Sequence, residues 1–520
     1  MSPTVVAAVT PELTWREWAG FMSMVLGMFM AILDIQIVSA SIAEIQAGLA
    51  ASPDEVAWVQ TSYLIAEIVM IPLSGWLSRL LSTRILFVGS AIGFTIFSAL
   101  CATASSLDQM IVYRAAQGFL GGAMIPTVFA TSFALFPRRQ QATISVLIGL
   151  TATMAPTIGP TLGGWLTQAF SWHWLFLINV PVGLIVAFNV FNFLDIDKPD
   201  WSVRRSFDLF GLVLMATFLG SLEYVLEEGE RDGWFEDDAI FGFAVAAVLC
   251  GGLFFWRMLT RPEPMVDLRA FRNVNFAFGS FFSVIIGIGL YGSVYVIPLF
   301  LGRVRNFDSL EIGQTMFVTG LAMFISAPIA GKLSKVIDLR QMLAFGLVCF
   351  SVSVWWLAHL TSQSSFYDML LPQMLRGFSM MFLFLPVNQL SLGTMPPHAL
   401  KNAAGLYNLM RNLGGAVGLA LINTIATTRY ASHTVHLQEQ VTWSRPGAMK
   451  TLDNMTHAMQ ATQDQNAHLA ALKRLSMMVR REALTLTYND VLLIMATTFL
   501  VAFPLTFLLA KPKAMSAEAH

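Results

Sequence analysis

The chain has 520 residues, of which 56% are hydrophobic and only 12% charged, with a formal net charge of −1. A soluble domain carries about 25% charged residues, so this composition excludes an ordinary soluble protein, and no basic excess marks a nucleic-acid partner. Cys101, Cys250 and Cys349 all lie in apolar stretches, which argues against a disulfide framework and makes them small core residues.

The N-terminus lacks a basic region before its first apolar stretch, and that stretch runs past signal-peptide length. It therefore reads as a retained span. In chain order the spans fall at about 18–44, 56–78, 84–104, 109–135, 142–168, 173–195, 208–227, 239–258, 274–301, 311–332, 341–361, 367–394, 402–428 and 487–510. Only helices satisfy their backbone groups in lipid at these lengths, so the expected fold is an all-α membrane protein with fourteen transmembrane helices. With both termini placed in the cytoplasm, eighteen basic residues fall on inside segments, among them Arg79, Arg84, Arg138, Arg139, Arg204, Arg205, Arg257, Arg261, Lys511 and Lys513. The six short outside loops hold only Arg231, Arg303 and Arg305. That asymmetry sets the expected orientation.

The second and tenth spans end on one template, 256 positions apart. Pro72-x-x-Gly75-x-Leu77-Ser78-Arg79-x4-Arg84 recurs as Pro328-x-x-Gly331-x-Leu333-Ser334-Lys335-x4-Arg340. Such repeats are the signature of transporters whose halves rock about a central site. Eight helices separate the two turns, which implies two six-helix halves with two helices inserted between them. The expected division is an N-terminal half (1–195), the inserted pair with its basic linkers (196–273), and a C-terminal half (274–520). The last contains a long outside segment at about 429–486.

Several polar residues resist the membrane. Asp34 lies in the middle of the first span, where a carboxylate is costly unless it is paired, protonated or beside water, and is a functional candidate by default. Arg114, one turn into the fourth span, is its obvious cation, as coupling partner or static staple. Glu67 sits four residues after Tyr63 on one face of the second span. Arg376 and Arg411 lie within spans of the second half and fit an anionic substrate or a neighbouring helix end. Glu227 and Glu228 read as solvated at the outer end of the seventh span, with Glu223 one turn deeper.

The fifth span carries Pro156, Gly159, Pro160, Gly163 and Gly164, a pattern that kinks a helix and admits a neighbouring backbone. Gly118-x3-Gly122 and Gly414-x3-Gly418 add small-residue packing faces. The outside segment holds His433, His436, His457 and His468 without a compact ligand spacing, so no metal site is expected. A run at 466–482 is helical and amphipathic, with Leu469, Leu472, Leu475, Met478 and Val479 on one stripe, suited to a membrane surface or a partner helix. No phosphate-binding Gly-x4-Gly-Lys-[Ser/Thr] and no nucleophile–base arrangement occurs, so neither an ATP engine nor an enzyme is expected.

Together these motifs resemble the fourteen-span drug:proton antiporters of the major facilitator superfamily, and among them the EmrB-like inner-membrane subunits of multidrug efflux pumps. Leu33-Asp34-x-Gln36-Ile37-Val38-Ser39 is similar to the first-span motif, and Trp58-Val59-x-Thr61-Ser62-Tyr63 to the opening of the second. Gly75-x-Leu77-Ser78-Arg79 is similar to the gating loop between spans two and three, which continues to Arg84. Arg114-x-x-Gln117-Gly118 matches the fourth-span motif, and Gly159-Pro160-x-x-Gly163-Gly164 the antiporter motif. Trp172-x-Trp174-x-Phe176-x-x-Asn179-x-Pro181-x-Gly183 matches the sixth-span signature. Arg79 stands where the family has an acid, and Gln36 and Ser39 where Thr and Asn are usual.

The resemblance implies export of hydrophobic or amphipathic compounds across a bacterial inner membrane, driven by the proton gradient with no other cofactor. Asp34 and Arg114 would carry proton coupling, and Glu67, Gln36, Tyr63, Gln117, Arg376 and Arg411 are the candidate cavity or proton residues. It also implies a periplasmic membrane-fusion adaptor and an outer-membrane channel as partners. From the residues alone, proton-coupled uptake on the same fold and a non-transporting receptor remain open.

Overall fold

A computed structural model describes residues 13–307, 309–460 and 466–510; Lys511 and Lys513 of the orientation count, and the side chain of Arg138, lie outside what it describes. It contains fourteen helices long and apolar enough to cross a membrane: α1 (Trp15–Ser39), α2 (Trp58–Leu81), α3 (Thr83–Cys101), α4 (Leu107–Leu135), α5 (Arg139–Ala169), α6 (Trp174–Phe193), α7 (Leu209–Glu228), α8 (Asp238–Thr260), α9 (Val274–Arg303), α10 (Glu311–Leu333), α11 (Leu339–Leu357), α12 (Phe366–Thr394), α13 (Pro397–Gln440) and α14 (Ala467–Leu508). Side chains cap several of their starts. Thr14 and Glu17 form a reciprocal capping box ahead of α1, and Ser106 caps α4. No β-strand occurs among the described residues.

The main helix pairings of the two halves match. α1 packs on α5 and α6, α2 on α4, and α3 on α4 and α6; α9 packs on α13 and α14, α10 on α12, and α11 on α12 and α14. The repeated turns do the same work in each half. Arg84 Nη1 donates to the Leu194 carbonyl just past α6, and Arg340 Nη1 donates to the Leu509 carbonyl just past α14, each at 3.2 Å. Each arginine thereby satisfies a carbonyl at the end of its half's last helix, where the helix itself supplies no donor. The halves meet along α2–α13 and α5–α10, two seams exchanged by the same correspondence.

The inserted α7 and α8 pack on each other, and α7 also lies against α2 and α13. Asp208 fastens this pair. Its carboxylate accepts from Arg257 Nε at 2.6 Å and Nη2 at 2.9 Å and from the Gly211 N–H at 3.0 Å, and lies 2.7 Å from Arg261 Nη1. Burial resists its ionisation, but these donors outweigh that and hold the carboxyl well below the usual carboxylate range.

α13 and α14 exceed the lengths their hydropathy suggests. α13 continues to Gln440 and α14 begins at Ala467, with a further helix, Pro446–Gln460, packed on α14. The described residues of 429–486 are thus largely helical. Ala467 and Ala471 are the buried residues of the first turns of α14, whereas Leu469 is 66% exposed. The leucine stripe expected at 466–482 is therefore only partly covered, and small residues take the packed side.

Candidate functional site

Asp34 and Arg114 meet in the middle of the N-terminal half, both fully buried. Arg114 Nη1 donates to Asp34 Oδ2 at 2.6 Å and to Gln117 Oε1 at 2.9 Å, while its Nε donates to the Val59 carbonyl at 3.1 Å. Asp34 Oδ1 accepts from Asn179 Nδ2 at 2.6 Å and from Gln117 Nε2 at 3.2 Å. Asn179 also donates to Ser98 Oγ at 3.1 Å, and Ser98 in turn donates to the Phe176 carbonyl at 2.9 Å. The guanidinium carbon lies 4.2 Å from the centre of the Tyr63 ring. The carboxylate thus ties α1 to α4 and α6 through charge-assisted bonds, and Arg114 and Asn179 extend the network to α2 and α3.

The sequence allows this approach because Gly118 and Gly122 on α4 face α2. A side chain at either position would run into the backbone of Tyr63 or Glu67. Without that contact Arg114 would not reach both Val59 and Asp34.

Tyr63 and Gln117 therefore join the network around Asp34 and Arg114. Gln36 does not. It lies against Gly159 of α5, because two residues along a helix turn a side chain through about 200°. Gly163 packs against the Ile37 backbone in the same contact, and α5 runs unbroken through Pro156 and Pro160. The Pro156–Gly164 stretch thus holds α1 close to α5. Glu67 is buried, and its Oε1 has no hydrogen-bond partner. It lies within electrostatic reach of Arg411 on α13 and of Arg114. Arg411 donates from Nη2 to Asn408 Oδ1 at 2.8 Å, and its guanidinium carbon sits 5.4 Å from the Phe129 ring centre of α4, across the seam between halves. Arg376 stands apart, between α10 and α12.

Near the end of α2, Gly75 abuts the backbone of Lys401 and Asn402 at the start of α13. Arg79 supplies no acid to the loop after α2, and the clasp comes from elsewhere. Lys401 Nζ pairs with Asp197, beyond α6, and donates to the Ser78 carbonyl at 3.0 Å. Asp197 Oδ1 also accepts from the Thr83 N–H at 3.0 Å. This end of the α2–α13 seam is closed.

Two readings need correction or addition. Glu228 is buried rather than solvated: it accepts from Thr61 Oγ1 at 2.9 Å and pairs with Arg231 at 2.9 Å. Its burial follows from α7 packing on α2, where Trp58 and Tyr224 stack at 5.4 Å. Asn179 and Ser98 are part of the Asp34 site and were not singled out by residue chemistry. Neither is charged, and the only signal was the place of Asn179 in the sixth-span signature.

Two six-helix halves with matching contacts, joined along two helix seams and carrying a buried carboxylate–guanidinium network, define a membrane transporter. The chain belongs to the Major Facilitator Superfamily, whose family model matches residues 24–419. It is 42% identical over 507 residues to the colistin resistance protein EmrB of Acinetobacter baumannii, covering 96% of this chain and 99% of that one. To the multidrug export protein EmrB of Escherichia coli K12 it is 29% identical over 488 residues, 94% of each chain. The structure of the proton:xylose symporter XylE aligns with a TM-score of 0.58 at 12% identity, covering 95% of both chains, and shows the shared fold.

Proposed function

We propose that this chain exports hydrophobic or amphipathic compounds across the bacterial inner membrane in exchange for protons. The relatives named for multidrug export and colistin resistance support the export of drugs. The single observation that carries proton coupling is Asp34 on α1, fully buried and held by Arg114 and Gln117 on α4 and by Asn179 on α6. Protonating that carboxylate removes the counter-charge of Arg114 and weakens every bond that ties α1 to α4 and α6. A proton thereby becomes a change in helix packing, which is the link an antiporter requires.

Basic residues favour both termini in the cytoplasm, which places the Lys401–Asp197 clasp on the inside and the extensions of α13 and α14 outside. There the helix Pro446–Gln460 and α14 frame a groove of about 420 Å³ whose lining is part apolar (Met459, Leu469, Ala470, Met477) and part polar and basic (Asn466, Lys473, Arg474). An exposed groove of mixed apolar and basic lining suits an amphipathic partner helix with acidic residues, which supports work with a periplasmic adaptor and an outer-membrane channel. The test is reconstitution in proteoliposomes with an imposed pH gradient. Substrate movement opposite to the proton flow is expected, and gradient-independent movement overturns the reading.

A further inference from the structure

The polar sites of the two halves correspond, and the difference between them is informative. Gly377 on α12 faces the Thr319 backbone of α10 just as Gly118 on α4 faces that of Tyr63 on α2. Thr319 follows Tyr63 by the same 256 positions as the repeated turns, and α12 follows α4 in a closely similar register. This correspondence sets Gln373 where Arg114 stands and Arg376 where Gln117 stands, the same two residue types in exchanged order.

In the first half the pair closes on Asp34. In the second there is nothing to close on, because α9, the counterpart of α1, has no Asp or Glu between Val274 and Arg303. Arg376 is 1% exposed. Its Nη2 donates to Thr319 Oγ1 at 2.9 Å, and Thr319 donates onward to Gln373 Oε1 at 3.0 Å. Its Nε and Nη1 have no partner. Among the described residues no carboxylate lies within electrostatic reach of it. A buried guanidinium without a counter-ion is strongly unfavourable in a membrane interior and marks a functional site by default.

We propose that Arg376, positioned by Thr319 and Gln373, binds the acidic head of an amphipathic anionic substrate, a carboxylate or sulfonate on an apolar body. The ligand supplies the charge that Asp34 supplies in the other half. The apolar body would lie on the buried run Met380–Phe384 that follows on α12, whose methionines and phenylalanines adapt to varied shapes. This proposal rests on the export reading and adds to it the charge of one substrate class.

The test uses two fluorescent probes that differ by one sulfonate, 1-anilinonaphthalene-8-sulfonate and neutral N-phenyl-1-naphthylamine. Binding is measured on the full chain in lipid nanodiscs, and flux in proteoliposomes. Arg376→Gln installs the neutral residue type found at the matching position and can still donate to Thr319. It should weaken binding of the sulfonate about tenfold or more while the neutral probe stays within about twofold. Arg376→Lys, which restores the charge, should recover most of the sulfonate affinity. Equal loss for both probes, or no loss for the sulfonate, overturns the anion site. Wild-type protein that binds the probes but moves neither under a pH gradient refutes the export reading instead, so the two failures are distinguishable.

Discussion

Replacing Asp34 with Asn removes the one negative charge that neutralises Arg114, and the geometry fixes what else is lost. Oδ2 faces the guanidinium, whereas Oδ1 faces the amide donors of Asn179 and Gln117. Asparagine has a single carbonyl oxygen, so its NH2 group must point either at the guanidinium or at those two donors. Breaking a buried pair by removing one partner costs about 3–5 kcal/mol. Against a typical total stability of about 5–15 kcal/mol, that weakens the protein without necessarily unfolding it. Removing both charges in Asp34→Asn/Arg114→Gln leaves only neutral amides, so the double variant should be more stable than the sum of the singles implies. A coupling energy near 2–3 kcal/mol, the upper end for contacting residues, is expected. Reversible denaturant unfolding of the four purified proteins measures it. Single variants that lose less than about 1 kcal/mol and add within about 0.5 kcal/mol would refute the idea that this pair holds the helices together.

Further outcomes follow from other contacts. Gly118→Val should overpack the α2–α4 contact and destabilise the protein by about 1–3 kcal/mol, read as a lowered unfolding midpoint, whereas a similar change at Gly89, which faces open space, should be near neutral. Lys401→Ala removes a partly exposed pair with Asp197, an interaction of about 1 kcal/mol, and should raise thiol labelling of a Ser78→Cys reporter about fivefold by loosening the closed end of the α2–α13 seam. The folded-state pKa of Asp208 lies below its unfolded value, so its stabilisation is present above about pH 4 and fades only as pH falls through the folded value. The α7–α8 pairing should therefore resist proteolysis equally at pH 5 and pH 8, and Asp208→Asn should weaken it at both.

Most of the architecture was legible because lipid leaves so few options. Each long apolar run had to be a helix, and Asp34 and Arg114 stood out as charges within such runs. The turn repeat identified matching helices, and Arg84 and Arg340 indeed make matching bonds. What escaped was whatever lacked a charge or depended on a neighbouring helix. Asn179 and Ser98 read as ordinary small polar residues, although one donates directly to Asp34. Glu228 looked solvated by its place at a helix end, and only the packing of α7 on α2 buries it. α13 was ended too early and α14 begun too late because hydropathy falls at the edge of the membrane while helix formation continues. Gln36, two residues from Asp34, falls on another face of α1, as helix geometry dictates, and meets Gly159.

The central claim is that Asp34 converts proton flow into outward transport. Its most direct test compares wild type and Asp34→Asn in proteoliposomes, following a neutral fluorescent substrate while a pH gradient is imposed and then reversed. Wild type should move substrate against the proton flow and reverse direction with the gradient. Asp34→Asn should bind the substrate yet show only the leak seen without a gradient. Full gradient-driven transport by Asp34→Asn would contradict the account.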